Sequence, residues 1–149
     1  MSDNRILLAD DNLTNVELLQ AYLEEVDCES AVAVDGQDTL DKVAEFKPHL
    51  ILLDIMMPKL SGFEVCKMLK SNPDTSGIMI LMVTALNELG DIERAIASGC
   101  DDFLSKPVNK LELLKRVDNM LKLRNISDEL DRLRTYINGV EDTDERSAR

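Results

Sequence analysis

The sequence predicts an α/β protein built on a doubly wound parallel sheet. Short apolar runs alternate with stretches whose apolar residues recur at helical spacing, and five such strand–helix pairs follow one another. Two of the apolar runs, 50–53 and 78–83, contain no polar residue, which is typical of strands that helices cover on both faces. The length of 149 residues suits one such domain with an appendage.

The first two pairs occupy the first third of the chain. Residues 5–9 form the first predicted strand, and Thr14 with Glu17 gives the capping-box pattern that opens a helix. The second predicted strand covers residues 30–34 and closes at the turn pair 35–36, after which a short helix ends near Pro48. The apolar positions that we expect to face the core in these two helices are Val16, Leu19, Leu23 and Val26, then Leu40, Val43 and Ala44.

The remaining pairs follow the two purely apolar strands. A helix over residues 63–70 separates those strands and stops at Asn72-Pro73. A further helix from about residue 87 to 97 precedes Gly99, a plausible C-cap, and residues 102–105 form the fifth strand. From Lys110 the helical pattern continues to about residue 139.

Charge and composition exclude several classes of protein. Asp and Glu number 29 against 17 Lys and Arg, a net charge of -12, which argues against binding to nucleic acid or to an anionic membrane surface. No signal peptide and no apolar run of about 20 residues are visible, so we expect a cytoplasmic protein. The three cysteines Cys28, Cys66 and Cys100 are far apart and odd in number, which favours free thiols over a disulfide scaffold.

Reactive side chains follow four of the five predicted strands. Asp10 and Asp11 come after the first strand, Asp54 after the third, Thr84 after the fourth and Lys106 after the fifth. Ligands of doubly wound sheets bind at the carboxyl ends of the strands, so these five side chains should meet at one edge. A single polar residue there has a structural explanation as turn or cap chemistry, but five together predict a functional site.

The charges of this group indicate its chemistry. Three converging carboxylates repel one another unless a cation lies among them, and hard oxygen ligands of this kind suit Mg²⁺. With Mg²⁺ and Lys106, three negative charges meet three positive ones, and the pocket can receive a phosphoryl group. A carboxylate can then act as nucleophile and form an aspartyl phosphate, while the cations offset charge on the transferred oxygens.

Several stretches at these strand ends carry a resemblance to a known family. They are Leu-Leu-Ala-Asp-Asp-Asn at 7–12, Leu-Leu-Asp-Ile-Met-Met-Pro at 52–58, Gly-Phe-Glu-Val at 62–65, Val-Thr-Ala at 83–85 and Gly-Cys-Asp-Asp-Phe-Leu-Ser-Lys-Pro at 99–107. In this order and spacing the chain resembles the receiver domain of bacterial two-component response regulators, from residue 5 to about 122. The resemblance implies a (βα)5 fold with flavodoxin-like strand order 2-1-3-4-5 and, in this chain, an extended last helix.

The resemblance also implies a role for each site residue. Asp54 stands at the family's phosphoacceptor position, Asp11 would contact Mg²⁺ directly and Asp10 through water, and the backbone carbonyl of Met56 would complete the protein ligands. A histidine kinase or histidine phosphotransfer protein would be the phosphoryl donor. We therefore expect a regulator that assists its own phosphorylation and dephosphorylation, and no separate catalytic output domain in this chain.

Two further residues are implied as the switch. Lys106 would pair with the phosphoryl group, Thr84 would move to hydrogen-bond it, and Phe103 would then turn inward. This would change the face formed by the fourth helix, fifth strand and fifth helix, and so control a downstream effector protein, an appended effector domain or dimerisation. The bond between Lys106 and Pro107 is cis in the family.

Three positions call for separate interpretation. His49, the only histidine, lies at the opposite end of the third strand from the pocket, and we interpret it as a solvated loop residue. Met56 and Leu86 flank the pocket with bulky apolar side chains that could hinder an attacking water. This leads to the hypothesis of a slow intrinsic dephosphorylation.

The receiver is expected to cover residues 1–122, with a helical extension over 123–140 and an acidic, disordered tail over 141–149. The apolar residues of the extension alternate in steps of three and four, the seam of a short coiled coil, and they are Leu123, Ile126, Leu130, Leu133, Ile137 and Val140. Glu129 and Arg134 take g and e positions suited to a parallel homodimer. The alternative is an amphipathic helix folded back on its own domain. Receivers with this loop pattern and extension resemble those at the front of cyclic-di-GMP synthases or hydrolases.

Two other functions remain open. A Mg²⁺-dependent phosphohydrolase of the haloacid-dehalogenase type would also use an aspartyl phosphate, but such enzymes place Asp-x-Asp after the first strand, where this chain has adjacent Asp10 and Asp11. A phosphorylation-independent interaction module would not need the complete set of reactive side chains.

Overall fold

The computed structural model of the chain describes residues 4–85 and 89–147, and five strands alternate with five helices through them. The strands are β1 (Arg5–Ala9), β2 (Glu29–Ala33), β3 (Leu50–Leu53), β4 (Met79–Thr84) and β5 (Asp102–Ser105). The helices are α1 (Leu13–Leu23), α2 (Gly36–Phe46), α3 (Gly62–Ser71), α4 (Leu89–Ala97) and α5 (Lys110–Ser147).

All strand pairs are parallel and their order is β2-β1-β3-β4-β5, as expected for a flavodoxin-like sheet. The chain reverses its direction of winding between β1 and β3, so the helices cover both faces. Leu7 of β1 pairs with Ile51 of β3, and Ile51 pairs with Ile80 of β4. This register brings the carboxyl ends of β1, β3 and β4 side by side at one edge.

Two apolar clusters fill the spaces above and below the sheet. The cluster under α2, α3 and α4 takes its helical residues from Val43, Phe63, Val65, Cys66, Leu69 and Ala95. The cluster under α1 and α5 takes them from Val16, Leu19, Leu23, Leu113, Val117, Met120 and Leu121. Strand residues alternate between the clusters: Leu7 and Ile51 face the first, whereas Ile6 and Leu50 face the second. Burial on both faces explains why β3, and β4 up to Val83, lack polar residues.

Helix α1 begins earlier than the capping-box pattern predicted. The N-cap is Asn12, whose side chain accepts a hydrogen bond from the Asn15 N–H at 3.2 Å, and Thr14 lies inside the first turn. The helix therefore starts at Leu13. The side chain of Leu13 is 69% exposed, so this residue does not belong to the buried apolar face of the helix. Asn is as good an N-cap as Thr or better, and this preference decided the boundary.

Strand β2 ends one residue before the predicted end. The N–H of Val34 donates to Asp38 Oδ2 at 2.9 Å instead of joining the sheet, and the Val34 side chain is exposed. The adjacent Asp35 caps α2 by accepting from the Asp38 N–H. At the other end of α2, Ala44 is exposed, although the helical pattern had placed it in the core.

His49 is half-buried and is not the solvated loop residue that the sequence suggested. The ring Nδ1 of His49 accepts a hydrogen bond from the backbone N–H of Arg5 at 3.0 Å, and the backbone N–H of His49 donates to Arg5 O. The side chain therefore fixes the start of β1 against β3.

Helix α5 is the longest element and continues beyond the receiver as one unbroken helix. It reaches Ser147, whereas the sequence predicted disorder from residue 141. Extending a formed helix costs little, and neither Pro nor Gly follows Gly139 to stop it. The tail prediction was therefore wrong for the described residues up to 147.

Three smaller findings complete the fold. The three cysteines carry free thiols, and burial raises the pKa of each. Gly99 follows α4 with a φ of +91°, which a C-cap glycine provides. Within residues 4–85 and 89–147, no helix combines the length and the apolar character that crossing a bilayer requires.

Candidate functional site: an acidic pocket at the carboxyl edge of the sheet

The backbone of the sheet places the two buried carboxylates. The N–H of Asp10 donates to Ala33 O of β2 at 3.1 Å, and the N–H of Asp54 donates to Ala9 O of β1 at 2.9 Å. Each Asp therefore continues the hydrogen-bond pattern of its strand by one residue before the chain turns away. Both are nearly inaccessible, with Asp10 at 3% and Asp54 at 5% exposure.

Asp11 joins them from the rim of the pocket. Carboxylate oxygens of Asp10, Asp11 and Asp54 lie within 4.8 Å of one another, and Asp11 is exposed. The three carboxylates that the sequence predicted at the metal site thus form one cluster.

Lys106 bridges the two buried carboxylates. Its Nζ lies 3.1 Å from Asp10 Oδ2 and 3.3 Å from Asp54 Oδ2. Its backbone N–H donates to Thr84 O at 2.9 Å, which ties the end of β5 to the end of β4. The peptide bond between Lys106 and Pro107 is cis, as the resemblance implied.

Backbone donors hold the other carboxylate oxygens. Asp10 Oδ1 accepts from the Asn12 N–H at 2.9 Å, and Asp54 Oδ1 accepts from the Met56 N–H at 3.2 Å. Each carboxylate is thereby oriented by the loop that follows its own strand, with the Oδ2 atoms turned toward Lys106. Asn12 was not predicted to have this role, and a residue's backbone N–H leaves no signal in the sequence.

The electrostatics of the pocket are unbalanced. Burial raises the pKa of Asp54; the neighbouring Lys106 ammonium opposes the change and Asp10 reinforces it. Three carboxylates face one ammonium, a net charge of -2 among these four side chains. A divalent cation of the hard, oxygen-seeking kind fits both this charge and this donor set.

The two predicted switch residues lie on β4 and β5. Thr84 is 3% exposed and forms the last residue of β4, opposite Ser105 in the register. Phe103 is half-buried and packs against the cluster under α3 and α4. The two residues are thus on adjacent strands, and Phe103 pairs with Met82, two residues before Thr84.

Met56 is the one of the two residues invoked for phosphate lifetime that lies within the described part of the chain. The Met56 side chain is 76% exposed at the mouth of the pocket. Leu86 lies outside the described residues, so slow dephosphorylation stays a prediction.

Gly62 belongs to the stretch 62–65 that carries the family resemblance, but the sequence analysis predicted no role for it at the site. A Cβ there would lie 2.3 Å from the backbone oxygen of Asp54. The available signal was a glycine at the first position of a helix, where other residues are more favourable.

Comparison with known proteins identifies relatives of this chain. The family model described as "Response regulator receiver domain" matches residues 6–118. The response regulator PleD of Caulobacter vibrioides is 41% identical over 126 residues, which cover 85% of this chain and 28% of that protein. The DNA-binding response regulator MtrA of Mycobacterium tuberculosis is 38% identical over 125 residues, covering 84% of this chain and 53% of that protein. The chain thus spans between about a quarter and a half of the length of these relatives.

Solved structures show the same architecture. A CheY-like response regulator receiver domain protein from Methanospirillum hungatei superposes with a TM-score of 0.78 at 26% identity, covering 85% of this chain and 99% of the other. The chemotaxis protein CheY4 of Vibrio cholerae gives a TM-score of 0.73 at 26% identity, with coverage of 80% and 99%. From the acidic pocket, the strand order and these matches, the chain belongs to the response regulator receiver domain family of two-component signalling.

Proposed function

We propose that the chain is a phosphorylation switch in which Asp54 accepts a phosphoryl group from a phosphohistidine. The observation that carries this proposal is Lys106 Nζ held between Asp10 and Asp54 at 3.1 and 3.3 Å, beside a third carboxylate. An ammonium in that position can leave Asp10 and pair with oxygens of an incoming phosphoryl group.

In the transfer, Asp54 Oδ attacks phosphorus, an O–P bond forms and the N–P bond of the phosphohistidine breaks. The electron pair stays on the imidazole nitrogen of the donor, which then takes up a proton from solvent. Asp54 is only 5% exposed, which limits the access of bulk water to this oxygen. Lys106 balances the charge that accumulates on the phosphoryl oxygens.

Mg²⁺ is the proposed cofactor, with Asp11, Asp54 and the Met56 carbonyl as direct protein ligands and Asp10 acting through water. When bound, it would neutralise the remaining carboxylate charge and orient the phosphoryl oxygens. Asp10 is held by the Asn12 N–H and Asp54 by the Met56 N–H, so both enter the site already oriented.

Thr84 and Phe103 are the proposed relay to the face formed by α4, β5 and α5. Thr84 sits at the pocket edge, and Phe103 lies on the neighbouring strand within the cluster under α4. A hydrogen bond from the Thr84 hydroxyl to the phosphoryl group would favour one of two conformations of this face. The downstream effector would then read that conformation.

The phosphodonor, a histidine kinase or histidine phosphotransfer protein, must contact the rim of the pocket. Three apolar side chains are exposed near it: Leu13 at 69%, Leu18 at 41% and Met56 at 76%. Leu18 also lines a groove with Lys106 and Pro107, of about 220 Å³. These side chains give a donor an apolar surface beside its phosphohistidine.

Phosphorylation can be tested with a small phosphodonor and Mg²⁺ on the full chain. The expected result is a mass gain of one phosphoryl group that base removes and acid preserves. Asp54→Asn should abolish the gain, and Asp41→Asn, at an exposed position on α2, should leave it unchanged. An undiminished gain in Asp54→Asn would refute the assignment. Turnover of a general phosphatase substrate would instead favour the phosphohydrolase.

We also propose a homodimer through the extension of α5. Five apolar side chains of one stripe are between 43% and 58% exposed, and they are Leu123, Ile126, Leu130, Leu133 and Ile137; the side chain of Val140 lies outside the described residues. At 3.6 residues per turn, the stripe lies roughly 140° around the helix from the buried residues Leu113 and Val117. Pairing of two stripes would therefore not compete with the receiver core, and this exposure does not favour a helix folded back on its own domain.

A further inference from the structure

Gly62 begins α3 at a point where any side chain would collide with the backbone of the phosphoacceptor. A Cβ at this position would lie 2.3 Å from Asp54 O, 2.8 Å from Ile55 Cα and 3.0 Å from Asp54 C. All three atoms are main-chain atoms, so no side-chain rotation can relieve the collision. Ordinary van der Waals contact begins at about 3.4 Å, so one of the two backbone segments would have to move by roughly 1 Å.

The helix is not free to make that movement. The Gly62 N–H donates to Ile55 O at 2.9 Å, and the Ser61 side chain caps the first turn by accepting the Glu64 N–H. The next residue, Phe63, is buried and has the Arg94 guanidinium 4.2 Å above its ring. The Asp54 peptide is itself tied to β1 through its N–H, so the displacement is divided between the first turn of α3 and the Asp54 peptide.

We propose that Gly62 is a positioning residue for phosphoryl transfer. Its missing side chain lets the first turn of α3 press against the Asp54 backbone and keeps that carboxylate beside Lys106. The inference rests on the proposed function of Asp54. A shift of about 1 Å in a reacting group can cost on the order of 100-fold in rate, so a backbone contact of this kind matters to the chemistry.

Gly36 provides a matched control because it is the first residue of α2, as Gly62 is of α3. A Cβ at Gly36 would lie 2.2 Å from Leu60 O, a collision of the same severity with the same loop. Leu60, however, lies near the far end of that loop from Asp54. Gly36→Ala should therefore lose about as much stability as Gly62→Ala without displacing the phosphoacceptor.

The experiment compares the rate constant for phosphorylation by a small phosphodonor at saturating donor and saturating Mg²⁺. Gly62→Ala is expected to lower this constant by about 10- to 100-fold, and Gly36→Ala by no more than about 3-fold. Rates are measured on the folded fraction, and urea unfolding checks that the two variants are comparably destabilised. Equal rate constants in Gly62→Ala and Gly36→Ala would overturn the proposal, because a purely structural glycine predicts that result.

Should Gly62→Ala not fold, a milder change decides the question. Ser61→Ala removes the cap of α3 and loosens the same turn without adding an atom, and it should lower the rate constant several-fold. Asn109→Ala is its control, since Asn109 accepts the Glu112 N–H and so caps a different helix, α5. Equal rates in Ser61→Ala and Asn109→Ala would contradict the positioning role.

The wild-type chain and Asp54→Asn separate this inference from the proposed function. No phosphoryl mass gain on the wild type would refute both. A gain on the wild type that Asp54→Asn abolishes, together with equal rates in the two glycine variants, would refute only the role of Gly62.

Discussion

Asp54 lies buried beside a second carboxylate, and this arrangement works against the stability of the metal-free protein. Its pKa is raised by burial and by Asp10, against the effect of Lys106. A carboxyl group whose pKa is raised on folding binds more protons in the folded state than in the unfolded state. The free energy of unfolding therefore falls as pH rises through the interval between the ordinary and the raised pKa.

We expect Asp54→Asn to raise the free energy of unfolding at neutral pH without metal, by about 1 kcal/mol. The advantage should shrink toward low pH, where the wild-type carboxyl is already protonated. Urea unfolding in the presence of a chelator, at pH values from about 4 to about 8, measures the difference. Asp41→Asn is the control, and an equal, pH-independent gain in both variants would contradict the explanation.

His49 supports a different prediction about stability. Its Nδ1 accepts the Arg5 N–H at 3.0 Å in a half-buried position. Replacement by Ala leaves that donor without this acceptor, and His49→Ala should lower the free energy of unfolding by about 1–2 kcal/mol. Chemical denaturation measures the loss.

Gln20→Ala, at an exposed position of α1, is the matched substitution for His49→Ala and should change stability little. If the two variants are equally stable, the His49 contact does not stabilise the start of β1.

Some roles of single residues could be predicted from the sequence and others could not. Asp10, Asp54 and Lys106 could be predicted because residue type and strand ends together imply convergence. The contributions of Asn12 and Gly62 could not, since one acts through its backbone N–H and the other through the absence of a side chain.

Among the elements, α5 has two different surfaces along its length. Its first part is buried against the sheet through Leu113 and Val117, while further along an apolar stripe is exposed to solvent. Exposed apolar residues at heptad spacing are typical of a helix that pairs with another helix.

We expect Leu130→Asp to weaken the dimer by at least about 100-fold in dissociation constant, because it places a charge in the seam. Leu111→Asp is the control: Leu111 is on the same helix, 77% exposed and outside the stripe. Sedimentation of the full chain over a range of concentrations measures both. A wild-type chain that stays monomeric throughout would refute the dimer.

The orientation of the pair has its own test. In a parallel dimer, Glu129 of one chain meets Arg134 of the other, so Glu129→Arg should weaken association and Glu129→Arg with Arg134→Glu should restore it. The effect is small, about 0.5 kcal/mol per pair, and decreases with added salt. No recovery in the double variant would contradict the parallel arrangement.

Element boundaries were predictable where periodicity and caps agreed. Strands β1, β3 and β5 match the prediction because their ends coincide with clear polar residues. The predicted end of β2 and the predicted start of α1 were wrong because a side chain accepts a hydrogen bond from a nearby backbone N–H. Asp38 accepts from the Val34 N–H at the end of β2, and Asn12 accepts from the Asn15 N–H at the start of α1. The end of α5 was misplaced because acidic composition was taken as disorder.

For the molecule as a whole, the Mg²⁺ site proposed in the acidic pocket would couple metal binding to folding. A cation that binds only the folded state raises its stability, by about 2.7 kcal/mol at a concentration 100 times its dissociation constant. We expect added Mg²⁺ to raise the melting temperature of the wild type in proportion to the logarithm of its concentration. Scanning calorimetry with and without Mg²⁺ measures the shift.

Asp11→Asn provides the control for metal binding, since Asp11 is exposed at the rim and its replacement should not disturb the core. It should need much more Mg²⁺ for the same shift. A shift of equal size in wild type and Asp11→Asn would show that the ion acts elsewhere.

The fold as a whole followed from the sequence because every level agreed: buried strands, amphipathic helices and reactive residues at one edge. The strand order came from the family resemblance, and the sheet confirms it. The direction of the exposed stripe relative to the core depends on where α5 packs against the sheet. No local sequence pattern specifies that packing.

The unbroken continuity of α5 has a mechanical consequence. From residue 122 to residue 147 the helix extends by about 38 Å at 1.5 Å per residue, with its base seated on the sheet. Such a rod is a lever: a tilt of about 5° at the base moves the tip by about 3 Å. A change too small to reshape the receiver itself can therefore become a displacement of atomic size at the far end.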